Sequence, residues 1–188
     1  MKYITHWKYK FSMSIKKCLV IIIGTIQIIF GATLPTLSGK TLANTSVNIP
    51  NQKTPMVLII GFDMNSSQFM TEWVQVLDLT PSSHYNWLQI AVVGRVPPFI
   101  DGFIKKGMKK AVKKKNHAYY LPYFGNQKDR LVKILNNGQP LQDKVAPFVA
   151  VISESGEIKW SFQSKVTTEN RHEVMAKIET VLSIQKEN

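Results

Sequence analysis

Residues 53–79, KTPMVLIIGFDMNSSQFMTEWVQVLDL, place a polar turn between a continuous apolar run and an amphipathic one. Such a strand-to-helix turn is where a reactive thiol gains most, because a helix N-terminus lowers a thiol pKa. The turn reads Asp63, Met64, Asn65, Ser66, Ser67, with no cysteine. Cys18 is the only cysteine in the chain, so an internal disulfide, a Cys-based zinc site and a Cys-x-x-Cys pair are all excluded. Asp63 sits where the strand meets the turn, as a helix cap or as a base; no nucleophile accompanies it, which favours the cap. Ser66 and Ser67 lack any Ser-His-acid context and also read as capping residues. His84, His117 and His172 do not share the close helical spacing of a metal site. Gly102 and Gly107 are isolated and form no phosphate-binding loop. The residue types therefore assign no catalytic group, no cofactor and no metal.

The strongest remaining chemical signal is charge. The 188-residue chain carries a net charge of +12, and it is unevenly placed. Five lysines and no acid lie in the first 32 residues, and residues 95–115 hold eight bases and one acid. A general nucleic-acid binder spreads its basic residues over a face or groove, so nucleic acid is not an expected partner. On a helix, Ile100, Phe103, Ile104, Met108, Ala111 and Val112 form one apolar stripe. Lys105, Lys106, Lys109, Lys110 and Lys113 lie away from it, with Lys114 and Lys115 at its end. A solvated face accounts for part of this pattern. It does not account for seven lysines in eleven residues with no acid among them, whose self-repulsion is a cost unless an anion is near. A membrane surface, possible anionic lipid included, or a membrane-protein client is the expected partner of these seven lysines.

Three segments are expected. Residues 1–32 have a basic leader and an apolar run of about fifteen residues, short of the ~20 a spanning helix needs. They read as a signal peptide or an uncleaved signal anchor, with the leader lysines staying on the cytoplasmic side. The protein is then exported, either periplasmic or anchored to the inner membrane facing outward. Residues 33–54 are polar with two prolines and read as a linker or irregular leading segment. Residues 55–188 form the domain, with apolar content sufficient for a sizeable core.

Within that domain, residues 57–62 and 87–93 read as buried strands and 66–77 as a helix with Phe69, Met70, Trp73 and Val74 on one stripe. A basic helix starts near Pro97. A third strand is expected over 117–124 and a short helix over 127–135, stopped by Asn136-Asn137-Gly138. Pro147 leads a strand at 148–152, a hairpin turn at 154–156 and a return strand at 157–162. A helix over 167–184 closes the chain. The order βαβαβαββα resembles the thioredoxin-like arrangement: a central mixed sheet of about five strands flanked by helices, ending in a hairpin and a helix. That resemblance implies a cis Ala146–Pro147 peptide facing the first turn.

Several short motifs narrow the likeness: Phe69 to Trp73, then Tyr119, Tyr120, Tyr123, Phe124-Gly125 and Arg130, then Phe148 to Ile152 and Gly156-Glu157-Ile158-Lys159-Trp160. Together they resemble the mitochondrial ATP synthase assembly factor family called ATPase complex subunit ten, and its bacterial relatives. Lys159 stands where that family tends to arginine, and the N-terminus here is secretory in character. Asp63, Trp73, Pro147, Gly156 and Trp160 are the structural markers of the likeness. It implies a non-redox, non-enzymatic, membrane-associated assembly or chaperone-like factor, for a complex such as ATP synthase. The alternatives are a thiol-dependent oxidoreductase or peroxidase relative, and a peripheral lipid-surface binding protein.

Overall fold

The computed structural model describes residues 31–50 and 54–184. The leader lies outside the described residues except for its last two positions, as does Cys18. Seven strands and four α-helices follow in order: β1 Leu37–Lys40, β2 Ser46–Ile49, β3 Met56–Gly61, α1 Ser66–Val76, β4 Asn86–Val92, α2 Pro98–Ala111, β5 Tyr120–Tyr123, α3 Lys128–Leu135, β6 Phe148–Ile152, β7 Ile158–Gln163 and α4 Thr168–Ile184. A five-stranded sheet runs β5-β4-β3-β6-β7. β3, β4 and β5 are parallel, whereas β6 pairs antiparallel with both β3 and β7. This is the thioredoxin-like α/β fold expected from the order of elements.

Every residue of β3 is buried, because helices or the leading hairpin cover both faces of the sheet. On one face, Leu37 and Ile49 of the hairpin and Leu131 and Leu135 of α3 pack over Leu58 and Ile60. On the other, Met70, Trp73 and Val74 of α1 meet Val174, Ile178 and Leu182 of α4 over Val57 and Ile59. Trp73 is fully buried, and its indole N–H donates to the Ser164 carbonyl at 2.8 Å. Trp160 is only half-buried, as β7 is an edge strand, and stacks on Phe162. Pro122 sits within β5, the opposite edge, where a missing N–H is tolerated. Thr167 and Asn170 cap α4 reciprocally, each side chain accepting the other's backbone N–H.

Three expectations are corrected. Residues 33–54 are not a linker: β1 and β2 form an antiparallel hairpin whose tip donates from Leu42 N–H to the Tyr120 carbonyl at 2.9 Å. Gly39 lies where a Cβ would press on Leu121, so a glycine lets the hairpin approach β5 closely. The third strand is shorter than 117–124, because residues 114–119 wind into a 3-10 turn. Ala146–Pro147 is trans, an ordinary strand-entry proline; Ile49–Pro50 is the cis peptide among the described residues. Pro50 packs against Gly156, whose φ of +86° and lack of a Cβ suit the β6–β7 turn.

Candidate functional site

The turn between β3 and α1 is tightly built. Asp63 Oδ1 accepts the Asn65 N–H at 2.8 Å, closing an Asx turn. Ser66 Oγ accepts the Asp63 N–H at 3.3 Å, and Ser66 N–H donates to the Asp63 carbonyl at 3.0 Å. Gly61 makes this closure possible, since a Cβ there would press on Met70 and Ser66. Asp63 thus caps the turn rather than the helix; Asn65 is the N-cap and makes no side-chain cap bond. Met64, at the tip, is 90% exposed. Behind the turn, burial pushes the Tyr120 hydroxyl above the usual phenol range, and a hydrogen bond with the Ser67 side chain opposes that rise.

Beside the turn opens a cavity of about 620 Å³, floored by Phe62, Val132, Pro140 and Leu141 and rimmed by Asp63 and Lys128. The Lys128 ammonium donates to the Phe62 carbonyl at 2.9 Å. Neither turn nor cavity supplies a thiol. Sulfur chemistry by this chain would rest on Cys18, outside the described residues. The histidines are engaged separately: His117 Nε2 lies 3.0 Å from the Val112 carbonyl and His172 Nε2 lies 3.4 Å from Arg171, while His84 packs on Tyr85. No group of three metal-type side chains converges among the described residues.

α2 is built differently from every other helix. Its N-terminus opens with Pro98 at a first-turn position, where no N–H is needed, and Asp101 complements the helix dipole. None of its residues is fully buried. Ile100, Ile104, Met108 and Val112 are half-buried along its inner side, and Met108 and Val112 pack on the core. Phe103, expected within that stripe, instead points away and is 80% exposed, and Phe99 is 81% exposed. At 3.6 residues per turn the inner line runs i, i+4, i+8 through 100, 104 and 108, which leaves 99 and 103 on the flank about 100° and 60° round from 100.

The lysines also divide. Lys105 turns back toward the body, 3.6 Å from the Asp101 carboxylate and 5.1 Å from the centre of the Phe124 ring. Lys106, Lys109, Lys110, Lys113, Lys114 and Lys115 are exposed and make no ion pair among the described residues. Six of the seven expected lysines are thus exposed without an ion pair among the described residues, and α2 also exposes Phe103, which sequence reasoning had placed inside, and Phe99, which it had passed over. The Phe99–Phe103 spacing of four, repeated by Lys106 and Lys110, was the available signal.

No protein-family model matches the chain, and no curated protein matches it. Solved structures do match. BsSco, a member of the Sco family of cytochrome c oxidase assembly proteins with an identified disulfide switch, shares 8% identity at TM-score 0.53 over 82% of this chain and 95% of its own. A thioredoxin-family thiol:disulfide interchange protein of Chlorobium tepidum TLS shares 14% at 0.51, over 80% and 96%. A putative electron transfer protein of Aquifex aeolicus VF5 shares 13% at 0.51, over 81% and 91%. At these identities the likeness establishes the fold.

The expected non-redox, non-enzymatic reading is corrected: these neighbours are an assembly protein with a disulfide switch, a thiol:disulfide interchange protein and a putative electron transfer protein, which fit the thiol-dependent alternative better, and no match supports ATPase complex subunit ten. The physical reason is visible in the residues that carried that resemblance. Trp73 fills the core, Gly156 serves a turn against Pro50, and Pro147 and Trp160 belong to strand entry and sheet edge. Here they serve packing, a turn and strand geometry, and do not single out one family.

Proposed function

We propose that this protein is an exported relative of the thiol-dependent oxidoreductases of its fold that works at an anionic membrane surface, to which α2 binds. The observation that carries the reading is α2 and the turn after it: a helix without a fully buried residue that holds three exposed lysines, Lys106, Lys109 and Lys110, followed at once by Lys113, Lys114 and Lys115, all six lacking a carboxylate partner among the described residues. Each lysine near an anionic lipid surface contributes about 1 kcal/mol. The basic leader and apolar run of residues 1–32 support export, and 33–184 form the domain that is delivered. Among the described residues no helix is long and apolar enough to cross a membrane.

The test is co-sedimentation of residues 31–188 with vesicles, with and without phosphatidylglycerol. The buried clusters described above run from Leu34 to Leu182 and so stay whole in that piece. Lys106→Gln, Lys109→Gln and Lys110→Gln together should weaken binding by about 3 kcal/mol at low salt, roughly a hundredfold, with folding unchanged. Equal binding by variant and wild type would refute the reading. Thiol chemistry is tested apart, in the full chain: any thiol–disulfide exchange should vanish with Cys18→Ser, the only thiol present. Exchange that survives in pure Cys18→Ser protein would contradict that assignment.

A further inference from the structure

We infer that Phe99 and Phe103 are a wedge that enters the bilayer while the lysines hold its phosphates. The inference rests on the proposal that α2 works at an anionic membrane surface, and it adds the side chains that insert.

At 100° per residue, Phe99, Phe103, Lys106 and Lys110 fall within an arc of about 60° on α2. That arc is centred about 130° round the helix from the half-buried line of Ile100, Ile104 and Met108, of which Met108 packs on the core. The helix therefore presents two exposed rings and two exposed ammonium groups along one flank. Two phenylalanines about four-fifths exposed, one turn apart, are an unfavourable patch to leave in water. A bilayer interface relieves both features together: rings sit below the phosphate layer and lysine stems lie along apolar surface with their charged ends in it.

The order along α2 is polarised. Both rings lie in its N-terminal half, whereas Lys106, Lys109 and Lys110 lie beyond them and Lys113, Lys114 and Lys115 follow its end. The N-terminal half is thus the inserting part, and the C-terminal half with the 3-10 turn is the headgroup-binding part. Gly102 and Gly107 flank Phe103, and a Cβ at either would meet nothing within 4 Å, so packing does not require them. Their missing side chains leave the Phe103 ring standing clear of the helix. The patch is exposed, basic and aromatic.

The test uses the full chain in a Cys18→Ser background, with Phe103→Cys carrying an environment-sensitive fluorophore and Gln139→Cys as an exposed reference on another element. The dye reads its own surroundings, so the leader does not mask the result. On phosphatidylglycerol-containing vesicles, position 103 should shift to the blue and brighten several-fold. It should not do so on all-phosphatidylcholine vesicles, and position 139 should not respond on either. Adding Lys106→Gln and Lys110→Gln should abolish the shift. In unlabelled protein, Phe99→Ala with Phe103→Ala should lower vesicle binding at least tenfold without changing its salt dependence. If binding depends on the lysines but position 103 stays in water and the double alanine variant binds normally, the wedge is wrong while the anionic-surface reading stands. A response at 103 to polyglutamate and not to vesicles would assign the face to an acidic protein and overturn the lipid. If the lysine substitutions change nothing, both readings fall.

Discussion

α1 and α2 follow consecutive parallel strands, β3 and β4, and both pack on the same face of the sheet. They are used in opposite ways. α1 buries Met70, Trp73 and Val74 and ties Trp73 across to Ser164, so the core depends on it. α2 buries no residue fully and turns its largest side chains outward. One crossover helix is thus committed to the core while the next leaves its largest side chains to solvent, and a fold can change its surface in this way while keeping its core.

The sharpest way to break this comparison is to remove an aromatic from each helix. Trp73→Ala should destabilise the domain by about 3–5 kcal/mol, through the lost packing and the cavity left behind. Phe103→Ala should change stability by no more than about 0.5 kcal/mol in either direction, as for an exposed position. Urea midpoints of the two variants measure both; a large loss at Phe103 would mean α2 contributes to the core after all. A smaller effect sharpens the contrast. Gly102→Ala and Gly107→Ala should each stabilise by up to about 1 kcal/mol, because both sites are open and helical and alanine is the better helix former. A loss at either would show a constraint on α2 absent from its surroundings.

The smallest effect concerns the segment that seats α4. Asp143 lies 2.9 Å from the Lys165 ammonium and accepts the Val145 N–H, and these bonds, that to Lys165 foremost, hold its carboxyl below the usual range. A carboxyl lowered on folding contributes stability that is complete above its unfolded pKa and is lost as pH falls through the lower folded value. Acid scans of Tm should therefore show a slightly weaker decline in Lys165→Gln than in wild type. Exposure of both groups keeps the difference small. An unchanged acid limb would show that the pair does not form in solution.

The sheet was readable in the sequence because β3 and β6 are apolar runs and β4 is interrupted after Trp87 only by Gln89, the pattern of strands covered on both faces. The leading hairpin was not, since its four-residue strands bury little beyond Leu37 and Ile49 and read as polar chain. α2 was found, but its facing was not. Its helical period gathers apolar residues without saying which of them meets the sheet, so Phe103 was placed inward with Ile104. Nor does period show that Asp101 and Phe124 draw Lys105 back from the other lysines. The absence of a thiol at the turn was plain from the sequence, but it did not support the function inferred from it. Short motifs made of core and turn residues report the fold they serve.

Hydrogen exchange along the full chain, with and without phosphatidylglycerol-containing vesicles, tests the central claim most directly. The account predicts that amides of 98–115 slow on anionic vesicles and not on neutral ones, while those of α1 and α3 keep their rates. Slowing at the β3–α1 turn and α3 with none across α2 would contradict it.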